Sequence, residues 1–208
     1  GVVDSANGDA GPSVSAVVES MTSVLGHRGP DASRIWTGPS GRVALGHTRL
    51  TILDLSEAGA QPMSSRDGRW TIVYNGEGYN TGDLRREVLG VRWQGHSDTE
   101  VLVEYIARFG VLKALKAVKG MFAFGVWDNE RSELWLARDR FGEKPLYYGW
   151  HRGVFLFASE LKALRAVPDF DPEIDRGSLL EYFRWLNIPA PQTIYEGVWK
   201  LPPAHFLR

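Results

Sequence analysis

Apolar residues recur with two different periods along this chain. Over 13–25 they fall at Val14, Val17, Val18, Met21, Val24 and Leu25. Steps of three and four put them on one helical face, and Gly26 is the stop signal. The stretches 43–45 and 49–53 predict short strands, and 70–74 predicts another from its β-branched and aromatic residues. Spacing turns helical again over 81–88. SDTE at 97–100 reads as a capping box, Ser97 at the cap and Glu100 three later. It predicts a helix through 101–108 that Gly110 closes. The second half changes character. Four apolar runs, 121–127, 133–137, 145–150 and 153–158, are separated by short turns, and several are apolar on both faces. That is expected of strands in a sheet covered on both sides. Helices are predicted over 160–167 and 176–186, then a Pro-rich connector over 187–194. Asn7-Gly8-Asp9 predicts a turn after a first short strand. The pattern as a whole predicts an α+β fold: two packed antiparallel sheets with helices outside.

Composition narrows the classes. The chain has 208 residues, 43% hydrophobic and 24% charged, enough to build a sizeable core. Lys and Arg number 24 against 25 Asp and Glu, for a net charge of -1. No basic excess points to nucleic acid or an anionic membrane surface. No apolar run approaches the roughly 18 residues of a membrane span. Cysteine is absent, which excludes disulfides and cysteine-ligated metals and fits a cytoplasmic location. The chain opens on Gly1-Val2-Val3-Asp4, which resembles the middle of a strand, so residues are expected before Gly1.

Several polar segments fall where a fold alone would not ask for them. Arg49 sits among apolar strand residues. It is either one half of a structural ion pair or a bidentate clamp for a carboxylate. Asp98, at a helix start, either offsets the helix dipole or holds an ammonium group. Asn75-Gly76 is a preferred pair for a two-residue hairpin turn. Its side-chain amide and a closely approachable backbone N–H could equally hold an oxyanion. His27, His47 and His96 match no zinc spacing, so a metal site is not expected and structural roles are. The charged stretch at 138–144 reads as a solvated hairpin. Gly76-x-Gly78 is not a dinucleotide loop, because Thr81 stands where the third glycine belongs. No Ser-His-Asp arrangement, and with no cysteine no strong nucleophile, is evident.

Eight segments in order carry a resemblance. They are HRGPD (27–31), GHTRLTILD (46–54), AQPM (60–63), NGEGYN (75–80), SDTE (97–100), GMFAF (120–124), ARDRFG with KPLYY (137–148) and FASELKA (157–163). Each is weak alone. Together they resemble the glutaminase domain of glutamine-hydrolysing asparagine synthetases, a class II glutamine amidotransferase. The resemblance covers roughly residues 1–165, and GVWKLPPAH (197–205) is similar to the family's lead-in to its synthetase domain.

The resemblance implies a fold, a chemistry and a set of roles. The fold is an N-terminal nucleophile hydrolase-like αββα sandwich of two antiparallel sheets. Residues 1–170 would form the amidotransferase domain, and 171–208 a helix and connector leading to a synthetase domain in cis. Arg49 would bind the glutamine α-carboxylate and Asp98 the α-ammonium, with Glu77 helping at the amino end. Asn75 and Gly76 would form the oxyanion hole. The domain itself would need no cofactor or metal; ATP and magnesium would serve the synthetase domain. A homodimer is possible. In the family the nucleophile is an N-terminal Cys in C-G-I-x-G, of which Gly1 would be the last residue. The chain departs again at Gly78, where the family usually has a large aliphatic residue, and that is expected to loosen the loop after the oxyanion hole. Two alternatives stand beside this. One is a nucleophile-less scaffold domain of a β-lactam synthetase-like relative. The other is an amidotransferase for sugar-phosphate or phosphoribosyl substrates, which the KLPP lead-in argues against.

Overall fold

The computed structural model describes residues 1–4, 13–50 and 56–208. The turn expected at 7–9 and the strand expected over 51–53 lie outside the described residues. One sheet holds β1 (Val2–Asp4), β2 (Ala32–Thr37), β3 (Val43–Arg49), β8 (Tyr147–His151), β9 (Val154–Ala158) and β10 (Val198–Lys200). Their order is β10-β8-β9-β1-β3-β2. The other holds β4 (Met63–Ser64), β5 (Trp70–Gly78), β6 (Gly120–Asp128), β7 (Glu133–Arg138) and β11 (Phe206–Leu207), in order β11-β7-β6-β5-β4. Neighbouring strands in both sheets run antiparallel.

Strand alternation sorts the side chains into three cores. Val43 and Leu45 of β3 point inward against Val73 of β5 and fill the space between the sheets. Ala44 points outward under α1 (Val14–Ser23), which packs with α5 (Leu161–Arg165). Gly46 continues that outward row. A Cβ there would come within 2.6 Å of Val18 and 2.5 Å of Thr22, so only glycine lets α1 lie this close. Ile72 and Tyr74 point outward from β5 under α2 (Thr81–Glu87), α3 (Asp98–Phe109) and α4 (Val111–Ala117). The result is the predicted αββα sandwich, its central strands covered on both faces. The last helix, α6 (Arg176–Trp185), is followed by β10 and β11, which add a strand to one edge of each sheet.

Four local expectations are corrected. The runs at 43–45 and 49–53 are not separate strands up to Arg49, since His47 and Thr48 belong to β3. Asn75-Gly76 is not a hairpin turn. Asn75 to Gly78 pair one by one with Ala123 to Gly120, and none of them has the positive φ such a turn demands. Gly78 is therefore a strand end, not a loop residue. Ser97 caps α3, accepting from Thr99 N–H at 3.2 Å, but Glu100 does not reciprocate. Its carboxylate instead takes the N–H groups of Gln94 (2.7 Å) and Gly95 (3.0 Å). The stretch 138–144 is not a solvated hairpin. Asp139 is 1% exposed and accepts from the N–H groups of Phe122, Phe141, Glu143 and Lys144. Burial alone would raise its pKa, but those four donors hold it below the usual carboxylate range.

Candidate active site

The inner row of β3 continues from Val43 and Leu45 to His47 and Arg49. The facing row of β5 continues from Val73 to Asn75 and Glu77. Alternate residues of a strand share a face, so at one end of the sandwich both inner rows turn from apolar to polar together. The sheets enclose a cleft there. Its inner part, about 120 Å³, is bounded by Gly1, Leu146 and Phe157. Its outer part, about 320 Å³, is bounded by Arg49, Gly76, Glu77 and Asp98. His47, Tyr74 and Asn75 line both parts, so the two adjoin across these side chains. The outer part is at the small end of the range for ligand pockets.

All five residues singled out from the sequence open onto this cleft. Arg49 ends β3, and its Nη2 donates to the Ser56 carbonyl at 2.9 Å. Asp98 is the first residue of α3 and is 9% exposed. It accepts from Gly78 N–H (3.0 Å), Thr99 N–H (2.9 Å) and the Tyr74 hydroxyl. Burial pushes its pKa up, and these bonds only partly counter it. A ligand cation beside it would stabilise the ionised form further. Glu77 is exposed at the rim. Asn75 carries a buried Nδ2 with no hydrogen-bond partner.

The backbone of Gly76 is placed by the ladder. Phe122 lies opposite Gly76. Phe122 donates its N–H to Asp139 Oδ2 at 3.2 Å and accepts the Asp139 N–H at 2.8 Å, both on the β7 side. Opposite residues in an antiparallel pair exchange both bonds or neither. Gly76 therefore turns its N–H away from β6, to the outer edge of β5. On that edge the neighbouring groups are occupied. The Gln61 side-chain amide takes Tyr74 N–H (2.7 Å) and C=O (3.1 Å), and Asp98 takes Gly78 N–H. Between them the Gly76 N–H faces the cleft beside Asn75. Two donors, one cation and one anion thus surround a space that fits a small zwitterion carrying a polarisable carbonyl.

The whole chain, residues 1–208, matches the family model of a glutamine amidotransferase domain. The chain belongs to that family.

The curated relatives it matches are longer proteins. It is 41% identical over 195 residues to asparagine synthetase (glutamine-hydrolysing) 3 of Bacillus subtilis, which covers 91% of this chain and 31% of that protein. It is 36% identical over 202 residues to amidase chry2 of Gibberella zeae, covering 97% of this chain and 29% of that one. The chain thus spans about a third of the length of these relatives. Among solved structures, glutamine phosphoribosylpyrophosphate amidotransferase from B. subtilis superposes with a TM-score of 0.64 at 25% identity. The match covers 73% of this chain and 40% of that one. No helix among the described residues is long and apolar enough to cross a membrane.

Several residues around this cleft carried no functional expectation. Gln61 and Tyr74 organise the open edge of β5. His27 and Arg28 sit on a short 3-10 turn and both bind Glu160 Oε1, at 3.0 and 2.8 Å, with Lys162 at 3.4 Å from Oε2. This cluster ties the turn to the start of α5 and fixes Arg28 on the wall of the cleft. His47 was assigned a structural role, yet it lies in the middle of the cleft. The alternation Val43, Leu45, His47, Arg49 was the signal that could have placed it there.

Proposed function

We propose that this cleft binds glutamine and presents its side-chain amide for hydrolysis to glutamate and ammonia. The observation that carries the proposal is the convergence of Arg49, Asp98, Asn75 Nδ2 and Gly76 N–H on one space between the sheets. Arg49 would take the α-carboxylate through charge-assisted bonds. Asp98, with Glu77 at the rim, would take the α-ammonium. The carbonyl oxygen would then lie against Asn75 and Gly76, whose donors stabilise the charge that develops on attack. A scaffold without chemistry would gain nothing from a buried, unpartnered amide, which costs about 1–3 kcal/mol.

The nucleophile in this proposal is a cysteine four residues ahead of Gly1, as the resemblance implies. Gly1, directly ahead of β1, is held against β9: its nitrogen donates to the Phe157 carbonyl at 2.7 Å, and its carbonyl accepts from Phe157 N–H at 3.0 Å. It lines the inner cleft together with Asn75. Four extended residues span at most about 13–14 Å, enough to bring a cysteine to the oxyanion donors. The sulfur would attack the amide carbon while its own α-amine, with a pKa near 8, takes the thiol proton and passes it to the leaving nitrogen. Ammonia leaves, and water hydrolyses the thioester to glutamate. On this reading residues 1–170 carry the glutaminase and 171–208 lead toward a synthetase domain in cis. That domain would use the ammonia with ATP and magnesium, while the glutaminase needs no cofactor. The test is glutamate release from glutamine by the chain extended at Gly1 with Cys-Gly-Ile-Ala. Release no faster than from the matching Cys→Ala protein would refute the proposal.

A further inference from the structure

Two buried side-chain polar atoms on this cleft have no hydrogen-bond partner: Asn75 Nδ2 and His47 Nδ1. They come from facing strands, β5 and β3, and both residues line both parts of the cleft. Leaving such atoms unpaired costs stability unless a ligand uses them. The first is a donor. The second is an acceptor, for two reasons. Nδ1 is the ring nitrogen that is both buried and unpartnered, so the ring proton belongs on Nε2, and a lone pair is left on Nδ1. Burial, reinforced by the nearby Arg49 charge, also holds the ring's pKa at about 4, so it is neutral near pH 7.

One buried donor and one buried acceptor on opposite walls are the complement of a primary carboxamide, which has a carbonyl to accept and an NH₂ to donate. We propose that His47 Nδ1 accepts a hydrogen bond from the substrate's carboxamide NH₂, making His47 the residue that selects an amide over an ester or a carboxylate. This rests on the glutaminase reading above and deepens it. An ester oxygen or the product carboxylate would set lone pair against lone pair at Nδ1. The same contact would favour release of glutamate once ammonia has left.

The experiment compares glutamine with its γ-methyl ester in the cysteine-bearing protein. Glutamine donates to Nδ1 and the ester cannot. His47→Phe keeps a ring and removes the acceptor, so kcat/KM for glutamine should fall by about tenfold or more while that for the ester stays within about threefold. His47→Asn offers an amide oxygen near the position of Nδ1 and should recover part of the glutamine activity. An equal loss on both substrates would mark His47 as structural and overturn the proposal, as would an unchanged ratio. If the unsubstituted protein hydrolyses neither substrate, the glutaminase reading falls and takes this one with it. If it hydrolyses both and His47→Phe keeps the ratio, only the His47 assignment falls. A second measurement needs no variant to fold. In the present chain, which has no cysteine to consume it, added glutamine should shift the ¹⁵N resonance of His47 Nδ1 toward that of a hydrogen-bonded acceptor. A resonance unmoved by saturating glutamine overturns the proposal.

Discussion

Replacing Gly76 with alanine tests the oxyanion hole through its geometry. A Cβ built at Gly76 falls 2.2 Å from the Met121 carbonyl oxygen and 2.7 Å from Phe122 Cα. Both are backbone atoms of the central strand β6, so no rotamer change relieves the clash. Restoring even a tight contact near 3.0 Å requires β5 and β6 to separate locally by about 0.8 Å. The Gly76 N–H moves with its strand. Misplacing a catalytic group by about 1 Å can cost about 10²-fold in rate, and losing one oxyanion donor outright costs about 10²–10³. Overpacking adds a stability loss of about 1–3 kcal/mol. In the cysteine-bearing protein, kcat for glutamate release should therefore drop by about 10²-fold. KM should change far less, because Arg49 and Asp98 sit on other elements. Gly26→Ala is the control, since a Cβ there meets nothing within 4 Å. A Gly76→Ala protein with native kcat would refute the placement of this N–H, and a loss confined to KM would move Gly76 from transition-state to ground-state binding.

Other outcomes follow from the same geometry. Arg49→Ala should lower kcat/KM for glutamine by about 10²-fold, chiefly through KM, in steady-state assays; native kinetics would make Arg49 purely structural. Asp98→Asn keeps an acceptor for Gly78 N–H but drops the charge, so calorimetry should show glutamine binding weakened by about tenfold or more with the fold retained. Gly78→Ala meets only the Thr81 methyl within 3 Å, a side-chain atom, so its melting temperature should stay close to native rather than fall as for Gly76→Ala. The pKa of Glu160 is held at about 2: burial would raise it, but Arg28, His27 and Lys162 outweigh that. A depressed carboxylate pKa stabilises above the unfolded value of 4.5 and loses that effect as pH falls toward about 2. Glu160→Gln should accordingly lower the melting temperature at neutral pH, and the difference should shrink between pH 4.5 and 2. A gap independent of pH would show that charge is not what Glu160 contributes.

Legibility in the sequence followed the strength and length of the periodic signal. α1, α3 and the four strands from β6 to β9 were readable because each buries a regular face against a core. β2 was not foreseen: an edge strand of sequence ASRIWT, mostly exposed, has little alternation to read. At Asn75-Gly76 the residues alone left a hairpin turn open beside an oxyanion site, and the turn is excluded because local turn preference loses to a nine-residue ladder with β6. Asp139 misled because its partners are backbone N–H groups, which no side-chain pattern reveals. The resemblance gave the five site residues their roles. From the residues alone, Arg49 and Asp98 kept bland structural alternatives, because nothing local shows that the end of β3 and the start of α3 open onto one space. His47 shows the opposite failure. Its place in the β3 inner row was legible, but a lone histidine carried no chemistry until Nδ1 was seen to be buried and unpaired.

The cleft exists because one sheet edge is incomplete. β4 is two residues long and pairs only with Thr71 and Ile72, so β5 runs on for six more residues with an open outer edge. Buried or half-buried N–H groups on such an edge must find partners. Tyr74 is served by the Gln61 amide and Gly78 by the Asp98 carboxylate. A longer β4 would have satisfied all three positions and erased the site. Instead the protein closes the first and third and leaves Gly76 between them, held rigid by the β6 ladder on its other side. The Asp98 contact also ties the open edge to the start of α3. Replacing Asp98 with alanine should therefore do more than remove a charge for the substrate. It should free the Gly78 N–H and loosen the edge, so amide hydrogen exchange at Gly78 and Gly76 should quicken even without ligand. Unchanged exchange in the Asp98→Ala protein would mean that β6 alone sets the position of the oxyanion donor.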